Sequence, residues 1–240
     1  MTRNGPGPIA LLGSGEYLPV MEGIERALLE GRPPRMVQLA TAAAPEGPAT
    51  LRHWHDLGAA AARRLGVEQV IVPVVDRPSA DEPALAGLID GAGLVYLSGG
   101  SPTHLAATLR GTRVWSAIDA AWRAGAALAG CSAGAMALTS YAPDPREPER
   151  DGEAGLGVVP HLQILPHFDR FFRGLPDVTL RRLMSPEPAV TVVGVDEHTA
   201  LVGGPEVWQV QGRRSVWVFD GDDPHEHPTG STVTLPCRSP

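Results

Sequence analysis

Ala126-Ala127-Leu128-Ala129-Gly130-Cys131-Ser132-Ala133-Gly134-Ala135-Met136-Ala137-Leu138 runs from an apolar, strand-like stretch through two glycines and a serine into helix-forming residues. A Gly-x-Ser-x-Gly sequence in that setting predicts a sharp strand-to-helix turn, with the Ser132 hydroxyl exposed at the carboxyl end of the strand. The glycines are needed there because a side chain would collide with neighbouring backbone. The following helix supplies unpaired N–H groups and a partial positive charge where an oxyanion would form. Cys131 competes as nucleophile through the intrinsic reactivity of thiolates. Shifting the turn by one residue would misplace both glycines, so Ser132 is favoured and Cys131 reads as a small side chain beneath the turn.

Outward from this turn, short β-branched runs alternate with Ala/Leu/Arg-rich stretches, the rhythm of an α/β domain with a largely parallel sheet. Strands are predicted over residues 8–12, 35–40, 69–74, 94–97, 126–129, 161–165 and 190–195. Helices are predicted over 21–30, 50–65, 83–91, 103–110 and 114–124, with Gly66 and Gly125 as C-terminal stops. Residues 206–211 and 215–219, flanking Gly212-Arg213-Arg214, predict a C-terminal β-hairpin that adds antiparallel strands. Residues 142–155 and 220–230 read as surface loops. No linker forces a second domain, so residues 1–240 are expected to form one domain with a core at about 8–205.

Composition removes whole classes of chemistry. The 240 residues carry 27 Asp plus Glu against 20 cations, all of them arginine, for a net charge of −7. Without lysine there is no Schiff base, no lysine-held pyridoxal phosphate, no Walker-type phosphate lysine and no Ser-Lys dyad. Asn4 is the one asparagine, which disfavours a Cys-His-Asn site. Cys131 and Cys237 form no CxxC pair, so neither a disulfide framework nor a zinc site is indicated. Scattered arginines on an acidic chain argue against a nucleic-acid partner. With no run of the length a bilayer needs and no signal-peptide pattern, a cytoplasmic protein without a membrane partner is expected. Monomer and homodimer both stay open.

Two further Gly-rich turns end apolar strands. Ser98-Gly99-Gly100-Ser101 should share the sheet edge of Ser132, where ligands gather and bare backbone can approach an oxyanion. Gly13-Ser14-Gly15-Glu16 could be a turn, a phosphate nest or a pocket wall, but its spacing fails the dinucleotide fingerprint. Of eight histidines, His167 leaves an apolar strand through Pro166 and so emerges at a strand end. His161 would point to the opposite edge. His198 is an alternative base, and Asp196 or Glu197 could orient the imidazole of His167.

Ser98-Gly99-Gly100, Gly130 to Ala135, Gly155-Leu156-Gly157 leading to Pro166-His167-Phe168, and Gly194 to Leu201 together resemble the cyanophycinase and dipeptidase E family of serine peptidases over about residues 8–205. The resemblance implies a three-layer α/β/α sandwich with a mostly parallel sheet, like that of class I glutamine amidotransferases. It implies Ser132 as nucleophile, His167 as general base and Glu197 as third member, with Asp144, Glu147 or Asp151 as the acid if the dipeptidase E branch is followed. Backbone N–H groups of Gly99 or Gly100 and of Ala133 would form the oxyanion hole, and no cofactor or metal is implied.

Leu165-Pro166-His167 departs from the Asp-Gln-His of cyanophycinases, which argues against cyanophycin as substrate, and lacks the Asn of the dipeptidase E motif. Ser101 follows the paired glycines where the family carries an amide or acid, and is a candidate substrate contact. Arg170, Arg173, Arg181 and Arg182 could meet an acidic substrate group. The expected activity is hydrolysis of a peptide or amide bond in a short peptide, with an acidic residue at the cleaved bond. A small-molecule esterase or amidase and a non-catalytic binding protein on the same scaffold are the alternatives.

Overall fold

A computed structural model describes residues 5–144, 152–172, 190–219 and 224–237. In chain order the elements are β1 (Ile9–Leu12), α1 (Glu22–Leu29), β2 (Arg35–Leu39), α2 (Pro48–Leu65), β3 (Glu68–Ile71), α3 (Arg77–Ala80), α4 (Pro83–Gly87), β4 (Leu94–Leu97), α5 (Pro102–Leu109), α6 (Arg113–Arg123), β5 (Ala127–Cys131), α7 (Ala133–Ala137), β6 (Tyr141–Ala142), β7 (Glu153–Ala154), β8 (Leu162–Pro166), β9 (Thr191–Val195), β10 (Thr199–Gly203), β11 (Val207–Gly212), β12 (Ser215–Phe219), β13 (Pro224–Pro228) and β14 (Thr232–Thr234).

The central sheet has the order β14-β11-β10-β1-β5-β4-β2-β3. Its β1-β5-β4-β2-β3 half is parallel, and β10, β11 and β14 extend it antiparallel. Strands β1, β4 and β5 are buried along their whole length, as expected where helices cover both faces. Alternation within each strand sends one set of side chains to each face. Ala10, Leu12, Met36, Tyr96 and Ala129 pack with Ile24 and Leu28 of α1 and Ala61 and Leu65 of α2. Leu11, Val37, Leu39, Val95 and Leu128 pack on the other face with Leu105 and Leu109 of α5 and Val114 and Ile118 of α6. This is the expected three-layer sandwich, with helix ends close to their predicted places. Gly66 stops α2 at φ +72°, and α4 ends four residues early.

The predicted C-terminal hairpin does not form. Both strands exist, but β11 pairs with β10 and β14, whereas β12 pairs with β9 and β13 in a second, four-stranded sheet of order β13-β12-β9-β8. The turn at Gly212-Arg213-Arg214 therefore carries the chain between sheets. Val193, Val195, Val216 and Val218 face Leu201, Trp208 and Val210 across one continuous core, and burial on both sheets rewards that separation more than a local hairpin would. Part of the expected loop at 220–230 is β13, an exposed edge strand.

The second sheet sets the site. Strands β8 and β9 are parallel neighbours with Pro166 opposite Val195, so the residues that follow each, His167 and Asp196-Glu197, leave the sheet side by side. Helix α7, which carries the chain away from Ser132, packs on β8.

Candidate active site

Ser132 sits at φ +50° and ψ −111°, between the last residue of β5 and the first of α7. That backbone is costly for a serine, and the surroundings hold it there. A Cβ on Gly130 would lie 2.5 Å from the Gly134 carbonyl oxygen, and one on Gly134 would lie 2.2 Å from that of Leu97. Both glycines of the motif are thus fixed by close backbone approach. Tyr17, His167 and His198 also have positive φ, and with Ser132 they are the non-glycine residues that do so among the described residues. All four lie in or beside the segments around one cavity, the distribution expected of strain held at a functional site.

His167 Nε2 stands 3.1 Å from Ser132 Oγ, and His167 Nδ1 stands 3.1 Å from Glu197 Oε1. The hydrogen bond from His167 holds the Glu197 carboxyl below the usual carboxylate range, with Arg170 adding to the effect from 3.4 Å. Glu197 is fixed from behind: its N–H donates to Asp169 Oδ1 at 2.9 Å, and Arg214 grips Asp169 Oδ2 at 2.5 Å. Asp196, the neighbouring candidate, is buried and accepts from the Ser215 N–H and the Trp217 indole N–H, so it holds β12 instead. His198, the alternative base, lies with its ring against Gly15, and its N–H donates to Ser14 Oγ. His161 is buried at the far end of β8, where its Nε2 meets the Pro205 carbonyl.

Asp144 borders the cavity, but its Oδ2 accepts from Ser101 Oγ at 2.9 Å and Glu197 occupies the Nδ1 side of His167. Glu147 and Asp151 lie outside the described residues, as do Arg173, Arg181 and Arg182. Ser101, expected to meet substrate, caps α5 by accepting from the His104 N–H and donates to Asp144. Arg170, expected to meet an acidic substrate, reaches Glu197 and lies over the Phe171 ring at 5.4 Å.

The turn at Ser98-Gly99-Gly100 lies against the serine: a Cβ on Gly99 would be 3.6 Å from Ser132 Cβ. The Gly99 N–H, one of the expected oxyanion donors, is instead given to Glu16 Oε1 at 2.9 Å. The other oxygen of Glu16 accepts from the Cys131 thiol at 2.6 Å. Burial pushes that thiol well above its usual range, which leaves it a poor nucleophile beneath the turn. The Gly13-Ser14-Gly15-Glu16 segment is therefore a pocket wall and a brace for the turn at Gly99 and the turn at Ser132. Sequence reading missed the brace because no local signal marks Glu16 as the partner of residues 83 and 115 positions away.

The cavity holds about 910 Å³ and opens over Ser132 and His167. Leu18, His53, Trp54, Leu57, Pro102, Met136, Pro166 and Phe171 also line it. His53 and Trp54 come from α2, a helix with no strand-end signal in the sequence. Among the described residues no cluster of side chains suits a metal ion, and no helix is long and apolar enough to cross a membrane.

Residues 18–206 match the model of peptidase family S51. Over 96% of this chain and 98% of the other, the fold is similar to the crystal structure of a peptidase from an acI-B1 Actinobacterium, with 37% identity and a TM-score of 0.87. A putative peptidase E protein from Listeria monocytogenes EGD-e shares the fold at 18% identity and a TM-score of 0.60, over 86% of this chain and 98% of that one. A comparison with curated protein sequences found no match. The chain therefore belongs to peptidase family S51, the family of cyanophycinase and peptidase E, and is a serine peptidase.

Proposed function

We propose that the protein hydrolyses a peptide or amide bond in a short peptide, with Ser132 as nucleophile, His167 as general base and Glu197 as the residue that orients the imidazole. The observation that carries this reading is the pair of 3.1 Å contacts linking Ser132 Oγ, the two ring nitrogens of His167 and Glu197 Oε1. Glu197 holds the proton on Nδ1, so Nε2 is free to take the Ser132 proton as Oγ attacks the scissile carbonyl. The resulting oxyanion rests on the backbone N–H of Ala133, the first residue of α7, and on that of Gly100. His167 then gives its proton to the leaving amine, and the same histidine activates the water that resolves the acyl-enzyme.

Labelling with a fluorophosphonate probe, followed by peptide mass spectrometry, tests the assignment. The parent is expected to label at Ser132, Ser132→Ala and His167→Ala to lose the label, and Glu197→Gln to label at least about tenfold more slowly. A parent protein unlabelled at Ser132 would overturn it.

A further inference from the structure

Two aromatic side chains flank the serine. Trp54 stands on the Gly99 side, its Cζ2 3.8 Å from where a Gly99 Cβ would be, and Phe171 stands on the His167 side at 5.6 Å between ring centroids. Phe171 is 56% exposed, and Trp54, Leu57 and Leu18 are half-buried, so apolar surface faces the cavity without a cover among the described residues. This wall is built rather than incidental. The Trp54 ring packs edge-on against fully buried Tyr17, at 6.4 Å, and its carbonyl oxygen accepts from Gln38 Nε2 of β2 at 2.8 Å. Leu57 follows one turn later on the same helix face. A fixed aromatic wall costs a ligand little ordering entropy.

Among the described residues, the charged groups at the cavity are engaged within the protein. Glu16 is held by the Gly99 N–H and the Cys131 thiol, Asp144 accepts from Ser101, and Arg170 reaches Glu197.

Resting on Ser132 as the nucleophile, we infer that the cavity selects short peptides whose residue beside the scissile bond carries a large apolar or aromatic side chain, seated against Trp54 and Leu57. Of the arginines expected to meet an acidic side chain, Arg170 reaches Glu197, and Arg173, Arg181 and Arg182 lie outside the described residues.

The test uses dipeptides carrying Phe, Leu, Ala, Gly or Asp on either side of the bond. Hydrolysis is followed with the parent protein, and binding is followed by calorimetry with Ser132→Ala. Phe and Leu are expected to exceed Ala and Asp by about tenfold or more in kcat/KM and in affinity, a ratio typical of apolar pockets. Trp54→Ala should bring the Phe to Ala ratio toward one, and Trp54→Leu, checked for an unchanged melting profile, should lower it partway. An Asp-first ranking, no ranking, no binding, or a ranking that both Trp54 variants preserve would overturn the inference. The fluorophosphonate label reads the nucleophile separately. Apolar selectivity with an unlabelled serine would sink the catalytic assignment alone, and a labelled serine without apolar selectivity would sink the specificity alone.

Discussion

The Glu16 carboxylate accepts a hydrogen bond from the Cys131 thiol at 2.6 Å, one residue before Ser132, while its second oxygen accepts from the Gly99 N–H. One buried side chain thus ties together the two turns that meet at Ser132. Glu16→Gln turns an acceptor into a donor facing one of these two donors. It should slow fluorophosphonate labelling roughly tenfold through the disturbed oxyanion turn and lower stability by about 1–3 kcal/mol. Labelling kinetics and urea unfolding read the two effects separately.

Cys131 is fully buried and Cys237 is exposed. In the native protein a thiol reagent should titrate Cys237 alone, with Cys131 reacting only after unfolding. Native modification of Cys131 together with loss of activity would return it to contention as nucleophile.

Glu25 lies behind the same wall, where burial raises its carboxyl from 4.5 to about 7 and Oε2 lacks a hydrogen-bond partner. The folded protein therefore keeps a proton that the unfolded chain releases between pH 4.5 and 7. Its contribution to stability is full below pH 4.5 and declines as pH rises to about 7, by about 3 kcal/mol in total. Unfolding free energies of the parent and Glu25→Gln, measured from pH 4.5 to 8, should converge at the acid end and diverge in favour of the variant at the alkaline end. Parallel curves would contradict the buried-proton account.

Asp169 joins the Glu197 N–H to Arg214, which lies on the turn between β11 and β12. Arg214→Ala should loosen Glu197 and reduce kcat roughly tenfold with a smaller change in KM, because a misplaced orienting group is felt in the transition state. An unchanged kcat would show that Asp169 needs no second anchor.

Gly134→Ala places a Cβ 2.2 Å from the Leu97 carbonyl oxygen, a clash that neither buried α7 nor β4 can relieve. A destabilisation of about 3 kcal/mol or more is expected, read as a lowered melting temperature and loss of the Ser132 label. Gly31→Ala, which meets nothing within 4 Å, tests the strain of a positive φ alone.

The local pattern around Ser132 was enough to locate the strand-to-helix turn, because a strand, two glycines forced by backbone contact and a short helix are all encoded within thirteen residues. The parallel α/β order and the emergence of His167 at a strand end were likewise legible, since both follow from short-range alternation of apolar runs and turn residues. Tertiary structure alone decided how the last third divides. Pairing β11 with β10 and β12 with β9 depends on which apolar faces can be buried together, and a local hairpin pattern carries no information about that. The same holds for charge. Glu197 rather than Asp196 meets His167, Arg170 turns to Glu197, and Glu16 braces the turn at Ser132, because each pairing is set by distance across the fold rather than by spacing along the chain.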